Sequence, residues 1–474
     1  MGSNIINLSD NAEFNKAVGE LRQINTGIIR HYYIYTFGCQ MNVHDSEILS
    51  GILSECGFHP SPKAENADVI LINTCCIRDH AEQKTLGLLG TLKELKAQNP
   101  SLVIGIIGCM TQQLDFAKKI KAKFPYVDII LGTNCADKLP AAVLNAYTVE
   151  DSKKRRTLYH DDNDSSIIEN APVMRSRSVT SWLNIMYGCN NFCTYCIVPY
   201  VRGRERSRSP EAILREVKEL AENGTKEITL LGQNVNSYGK ELDYSFARLI
   251  REINKVDGIE RIRFMTSHPK DISDELISAF GECEKLCEHL HLPLQSGSDK
   301  ILKDMNRKYD FAKYSEITKK LRQTQPAIEI STDIIVGFPG ETDDDFKRTL
   351  DAVEEMRFSF AFMFAYSPRN GTKAAAMENQ IPNALKKERL NTLIAKQNEI
   401  SAQISSEYIG KTVEILSEGR VSDEDEDAVD KTKQMGRTRT NKKVYFVGDD
   451  DTSGKILHAK INNSVSVTLG GEIV

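Results

Sequence analysis

What most limits the folding of this chain is a repeated alternation between short apolar runs and amphipathic stretches. The runs Tyr32–Phe37, Val69–Ile72, Leu102–Ile107 and Val127–Leu131 have strand length, and Asp45–Cys56, Asp79–Ala97 and Thr111–Lys123 between them are amphipathic. Strands alternating with helices predict an α/β domain on a parallel sheet. The pattern resumes at Leu183–Tyr187, Glu227–Leu231, Arg261–Thr266, His289–Leu292, Glu329–Val336 and Phe360–Ala365, each followed by a helical stretch. That predicts an incomplete (βα)6 barrel, and both folds hold ligands beyond the carboxyl ends of their strands. A helix over Ala384–Ser406 leads to Thr412–Leu416, Lys443–Val447, Lys455–Ala459 and Val465–Leu469, short β-like runs that predict a small all-β barrel. The expected organisation is a loose leader over 1–30, the α/β domain over 31–150, a linker over 151–178, the partial barrel over 179–407 and the all-β domain over 408–474. The linker assignment rests on Lys153–Arg156, the acidic Asp161, Asp162 and Asp164, and the lack of an apolar period.

Eleven cysteines are too few and too scattered for a disulfide scaffold, and their odd number fits reduced thiols. Three of them, Cys189, Cys193 and Cys196, follow the first barrel strand at spacings of four and three. Thiolates at this density are soft ligands for an iron–sulfur cluster, and three leave one iron of a cubane open. A three-ligand zinc loop is the competing reading, weakened because zinc sites usually pair C-x2-C with a second pair or with histidines. In the first domain, Cys39, Cys75 and Cys109 each stand at the carboxyl end of a strand, where a parallel sheet would bring them to one edge. Each alone would read as a small buried hydrophobe; three in equivalent positions read as a second thiolate site. Cys135 after the fourth run is a weaker candidate, whereas Cys56, Cys76, Cys283 and Cys287 read as structural.

Other barrel strands end in small and polar residues: Gly232–Gly239, Leu294–Ser298, Gly337–Glu341 and Tyr366–Pro368. Together they describe a ligand bowl. Arg202, Arg204, Arg206 and Arg208 follow the cysteine loop as either a solvated face or a track for a polyanion. The all-β domain has a basic flank of Lys431, Lys433, Arg437, Arg439, Lys442 and Lys443, and an acidic loop, Ser422–Asp427, that should point away from phosphate. A net charge of −5 excludes a globally basic nucleic-acid coat, so RNA contact must be local. No signal peptide, myristoylation motif or membrane-length apolar run is read, which makes a cytoplasmic protein with no membrane partner the expectation.

The motifs Gly38-Cys39-Gln40-Met41-Asn42, Asn73-Thr74-Cys75, Gly108-Cys109-Met110-Thr111-Gln112 and Phe192-Cys193-Thr194-Tyr195-Cys196 through Gly203 carry a family resemblance. From Tyr32 to Val474 the chain resembles the methylthiotransferases of the radical S-adenosylmethionine (SAM) superfamily, with a TRAM domain at the carboxyl end. The branch that modifies a ribosomal protein aspartate usually has Gly-Cys-Pro-Lys-Asn where this chain has Gly38–Asn42. The threonylcarbamoyladenosine branch tends to Lys-Leu or Arg-Leu after that cysteine. The match is to the branch acting on N6-dimethylallyladenosine beside the tRNA anticodon, although Cys76 stands where a serine is expected.

The resemblance implies two 4Fe-4S clusters. Cys189, Cys193 and Cys196 would hold the one that cleaves SAM to a 5′-deoxyadenosyl radical, and Cys39, Cys75 and Cys109 an auxiliary one carrying sulfur. It further implies SAM contacts at Tyr195, Ile197, Gln233, Asn234, Gln295, Ser296, Gly337 and Glu341, and RNA contacts at Arg202, Arg204, Arg437, Arg439, Lys442 and Lys443. The implied partners are the anticodon stem-loop of tRNA, an electron donor such as flavodoxin or ferredoxin, and a cluster- or sulfur-supply protein, with the enzyme itself a monomer.

Overall fold

The computed structural model describes residues 4–76, 79–160, 166–175, 179–421, 433–448 and 451–474. They fall into two compact units: residues up to 175 with 186–190 and 197–208, and 179–185 with 191–196 and everything from 209 onward. Among the described residues no helix is long and apolar enough to cross a membrane.

The first unit is built on six parallel strands. Their spatial order is Phe58–Pro60, Arg30–Thr36, Val69–Thr74, Val103–Gly108, Ile129–Leu131 and Thr157–Tyr159. Val69–Thr74 and Val103–Gly108 are buried at every residue, as central parallel strands covered on both faces must be. Val69 and Leu71 enter one core with Leu49 and Ile52 of the helix Gln40–Glu55, whereas Ile70 and Ile72 enter the other with Leu89 and Leu92 of Asp79–Gln98. That alternation is the period of two read as one apolar run.

Leader and linker are both more ordered than expected. Residues Ala12–Asn25 form a helix capped by Asn11, whose side chain accepts from the Phe14 amide at 3.1 Å. Phe14, Val18 and Leu21, spaced at helical intervals, pack into the first core. Asn4–Asn7 pairs in parallel with Ser166–Glu169, and Thr157–Tyr159 is the sixth strand of the sheet. These strands are three or four residues long, too short to show a period, and are defined only by their ladder partners. Asp161, Asp162 and Asp164 lie outside the described residues.

In the second unit, Thr180–Asn184, Glu227–Leu231 and Arg261–Phe264 form one parallel sheet, and His289–His291, Glu329–Val336 and Phe360–Ala365 another. The sheets meet at a parallel bridge between Ile262 and Leu286, where the Cys287 amide donates to the Ile262 carbonyl at 3.0 Å. The six strands thus follow in chain order as the expected partial barrel. Ser209, Ser245, Ser273, Asp310 and Thr342 cap the intervening helices through their side chains. The first strand stops at Asn184; Met186–Tyr187 belongs to the other unit, in an antiparallel pair with Arg206–Ser207.

The helix Asn383–Ser406 enters a closed five-stranded barrel of Thr412–Arg420, Gln434–Thr438, Lys443–Phe446, Thr468–Ile473 and Ile456–Val465, around Ile415, Val444, Phe446, Ala459, Ile461 and Leu469. Gln434–Thr438 was expected as basic flank, not strand. It is tied to the partial barrel by buried arginines: Arg261 donates to the Arg437 carbonyl at 2.7 Å, and Arg263 to the Thr438 and Arg439 carbonyls at 2.8 Å. The acidic loop Ser422–Asp427 and Lys431 lie outside the described residues.

Candidate functional site: two cysteine triads

Cys39, Cys75 and Cys109 directly follow or lie next to the carboxyl ends of three neighbouring parallel strands, whose register pairs Thr36 with Asn73 and Thr74 with Gly108. Two glycines let the chain segments close up there. Gly38, at φ +130°, would carry a Cβ 2.6 Å from that of Cys75, and Gly108, at φ +114°, one 2.5 Å from the Thr74 carbonyl oxygen. A side chain at either would be both strained and in collision.

Asn42 and Asn73 fix the arrangement. Both are fully buried. Asn42 donates to the Thr74 carbonyl at 2.9 Å, Asn73 donates back to the Asn42 carbonyl at 2.8 Å, and the Cys39 thiol lies 3.5 Å from Asn42 Oδ1. Cys39 is also the N-cap of Gln40–Glu55, at the positive end of the helix dipole.

Arg202 completes the site from the same unit. Buried, it donates to Asp45 at 2.8 Å, to Cys109 Sγ at 3.3 Å and to Asn42 Oδ1 at 3.4 Å. Burial opposes its charge, but Asp45, Cys109 and Cys39 outweigh that and hold its pKa well above the usual range. The Cys109 thiol is lowered to about 6, first by a hydrogen bond from Cys76 and then by Arg202, against its burial. Cys76, which reads as structural in the sequence, stands beside Cys109, its own pKa raised by that hydrogen bond and by burial. Cys135 packs among Leu131 and Leu139 in the core instead. Among the described residues no three His, Cys, Asp or Glu side chains converge as ligands of a single ion would. A cubane, which spreads its thiolates around a cluster, does not require that; an acidic Cys109 thiol beside a buried cation suits its negative charge.

The second triad is divided. In the first unit, the Cys189 amide donates to the Gly203 carbonyl at 3.0 Å. In the second, Cys193 and Cys196 lie on a loop held from residues 304–307. The Thr194 amide donates to the Met305 carbonyl at 3.0 Å, and Asn306 Nδ2 to the Phe192 carbonyl at 3.0 Å. Arg307, buried, donates to Cys193 Sγ at 3.2 Å and to the Pro293 carbonyl at 3.3 Å. Among the described residues no carboxylate pairs with it, so this buried guanidinium fits an anion at the cysteine.

The carboxyl ends of the barrel strands hold polar atoms with nothing to bond. Both polar atoms of Asn236, Ser267 Oγ, Gln295 Oε1 and Tyr366 Oη are buried without a hydrogen-bond partner. Thr266 and Gln295 adopt φ of +68° and +71°, the left-handed strain that collects at ligand sites. Orphaned donors and acceptors at several strand ends suit a polar ligand such as SAM. Of the residues expected to contact it, Gln295 has such an atom, and Ser296 bonds Thr349 at 3.3 Å. Gln233 is half-buried; Asn234 is buried and donates to Asp271 at 2.8 Å. Tyr195 is half-buried and packs on the cluster of Ile301, Met305, Phe338 and Tyr366.

Three of the expected SAM contacts have partners within the fold. Ile197 packs against Cys109 and Val201 in the first unit. Glu341 is committed to the fold, accepting from the Gly337 amide at 2.7 Å and pairing with buried Arg389 at 2.8 Å. Gly337 serves that same clasp, a Cβ there falling 2.4 Å from Lys386. The sequence offered no signal for Ser267, which no motif marked.

Comparison with known proteins agrees with this chemistry. Residues 183–353 match the model of the radical SAM superfamily, and residues 31–132 that of the uncharacterized protein family UPF0004. A protein of Thermoanaerobacter sp. (strain X514) is 52% identical over 97% of this chain and 96% of its own length. One from Clostridium botulinum (strain Hall) is 51% identical over 94% and 97%. Both are named tRNA-2-methylthio-N(6)-dimethylallyladenosine synthase. The chain belongs to that family. Among solved structures, the radical SAM methyltransferase TsrM from Kitasatospora setae superposes with a TM-score of 0.52 at 12% identity, covering 73% of this chain and 77% of its own. The cobalamin-dependent SAM radical enzyme OxsB gives 0.51 at 14%, covering 79% and 58%. These two likenesses concern the fold alone.

For a tRNA-modifying family the basic residues matter, and most of those expected on RNA are spent inside the fold. Arg202 is buried at the first triad; Arg206 is buried, and buried Arg208 pairs with Glu169 at 2.8 Å, so they are neither solvated nor a track. Arg439 grips Glu288 with two nitrogens, at 2.7 and 2.8 Å. Lys442 is buried beside Glu329 at 3.3 Å and over the Tyr408 ring. Arg437, half-buried, pairs with Glu418 at 2.8 Å. Arg204 is exposed and Lys443 half-exposed.

Proposed function

We propose that this chain converts N6-dimethylallyladenosine beside the anticodon of tRNA to its 2-methylthio derivative. Cys189, Cys193 and Cys196 hold the SAM-cleaving cluster, and Cys39, Cys75 and Cys109 the second. The observation that carries this reading is Arg202 held between Cys39 and Cys109, with Cys75 beside Gly38 at the end of the strand between theirs, in a chain half identical to the named synthases. When bound, the clusters and SAM supply a carbon radical strong enough for an aromatic C–H, and the sulfur and methyl that replace its hydrogen.

The chain's own residues bind and orient. Arg307 and Arg202 each give a charged hydrogen bond to a cysteine sulfur, which orients that ligand and places a positive charge beside the cluster it would hold. Gln295, Asn236, Ser267 and Tyr366 offer buried polar atoms to SAM, with Gln233, Asn234, Tyr195 and Ser296 around them. Arg204 and Lys443 serve the RNA backbone. The α/β, barrel and TRAM-like parts divide these tasks. A small reduced iron–sulfur or flavin protein supplies electrons, a separate protein replenishes sulfur, and the enzyme works as a cytoplasmic monomer.

The test is product analysis by mass spectrometry after incubating reduced, reconstituted enzyme with SAM and prenylated tRNA. The reading requires a methylthio mass increment on that adenosine and none on the small-subunit ribosomal protein. The opposite pattern would overturn it.

A further inference from the structure

The last barrel strand leaves an aromatic stripe uncovered. On Phe360–Ala365, Ala361 is buried, yet Phe360, Phe362 and Phe364 are 37–40% exposed. Alternate residues share a face, so three large rings line one side of the strand over about 13 Å. The strand lies at the sheet edge, paired among the described residues only with Glu329–Val336. Phe360 and Phe362 meet edge to face at 4.8 Å, and Phe362 meets the His291 ring at 5.9 Å. The register sets Phe364 beside Ile335, and both Ile335 and Tyr195, the residue just before Cys196, pack on the cluster of Ile301, Met305, Phe338 and Tyr366. The carboxyl end of the stripe therefore adjoins the same core that carries the cysteine loop.

An isolated exposed phenylalanine needs no explanation; three in a row on an edge strand do. One strand's width is far below the roughly 800 Å² per partner of a stable protein interface, so a small apolar group is the better occupant. Resting on the function proposed above, we infer that Phe360, Phe362 and Phe364 form the wall that receives the dimethylallyl group of the substrate adenosine. C2 and the N6-bearing carbon of adenine flank N1. With C2 presented to the loop, the five-carbon group projects past the ring along the strand. Aromatic faces suit both this branched alkene and the stacked base.

The test titrates reconstituted holoenzyme and SAM with two anticodon stem-loop RNAs, one carrying the dimethylallyl group and one not. Binding is compared for wild type, the double variant Phe362→Ala/Phe364→Ala, and the apolar double variant Phe362→Leu/Phe364→Leu. Because the rings are exposed, truncation opens no core cavity, and a thermal melt confirms the fold. The expected result is that Ala reduces the preference for prenylated RNA about tenfold or more, as loss of a few apolar carbons does, and that Leu restores much of it. Wild type that methylthiolates the prenylated RNA, with variants that keep its full preference, overturns the wall alone. Wild type with neither preference nor product overturns both the wall and the function it rests on.

Discussion

Replacing Arg202 by methionine removes the guanidinium while keeping most of the stem. Three contacts go with it: Asp45 at 2.8 Å, Cys109 at 3.3 Å and Asn42 at 3.4 Å. Orphaning a fully buried charge costs about 3–5 kcal/mol. The Asp45 side chain is 25% exposed, so water recovers part of that, leaving about 2–3 kcal/mol. For a unit of this size each kcal/mol moves the melting midpoint by about 2–4 °C, so calorimetry of iron-free protein should show a fall of about 5–10 °C. In a Cys189/Cys193/Cys196→Ala background, the electron paramagnetic resonance signal of the remaining cluster should weaken or shift, because its ligand loses a charged hydrogen bond. Arg202→Lys, which cannot reach Asp45 and Cys109 together, should fall between. A methionine variant that melts with wild type and gives an unchanged signal would refute the reasoning.

Ala at Gly38 or Gly108 combines left-handed strain with a contact of 2.6 or 2.5 Å, so each should cost about 2–4 kcal/mol in urea unfolding and reduce iron loading; wild-type stability would contradict this. Arg261→Met removes the buried donor to the Arg437 carbonyl and to Glu414, so the carboxyl-terminal barrel should melt as a separate, earlier transition, and one unshifted transition would speak against it. Burial first, then neighbouring cations, holds His289 and His268 below the ordinary 6.5. The unfolded chain takes up protons there that the folded one refuses, so stability is lost as pH falls below about 6.5. The slope should be about 1.4 kcal/mol per pH unit for each histidine, and His268→Gln with His289→Gln should flatten it between pH 6.5 and 5.

Much of this molecule is legible from pattern alone. Glu227–Leu231, Glu329–Val336 and Phe360–Ala365 were expected and found at the same residues, because a parallel strand between helices leaves a short apolar run of strand length. What escaped was structure defined by partners rather than by period. Thr157–Tyr159 and Ser166–Glu169 exist through their ladders, and Gln434–Thr438 hides between charges. The cysteine triads were legible as residue types at strand ends. The network that fixes the first one was not, since nothing in a charge pattern says that Arg202 is buried against Asp45 while Arg204 two residues on is exposed. Basic residues were read as surface because they usually are; here most of them join one segment of the fold to another.

The most direct test of the account counts clusters by triad. Iron and acid-labile sulfide should be measured, with electron paramagnetic resonance, on wild type and on the Cys39/Cys75/Cys109→Ala and Cys189/Cys193/Cys196→Ala variants. The account predicts that each variant keeps about half the iron and a different signal, and that only the first still makes 5′-deoxyadenosine from SAM. Full iron content in either variant, or loss of both signals from a folded one, would contradict it.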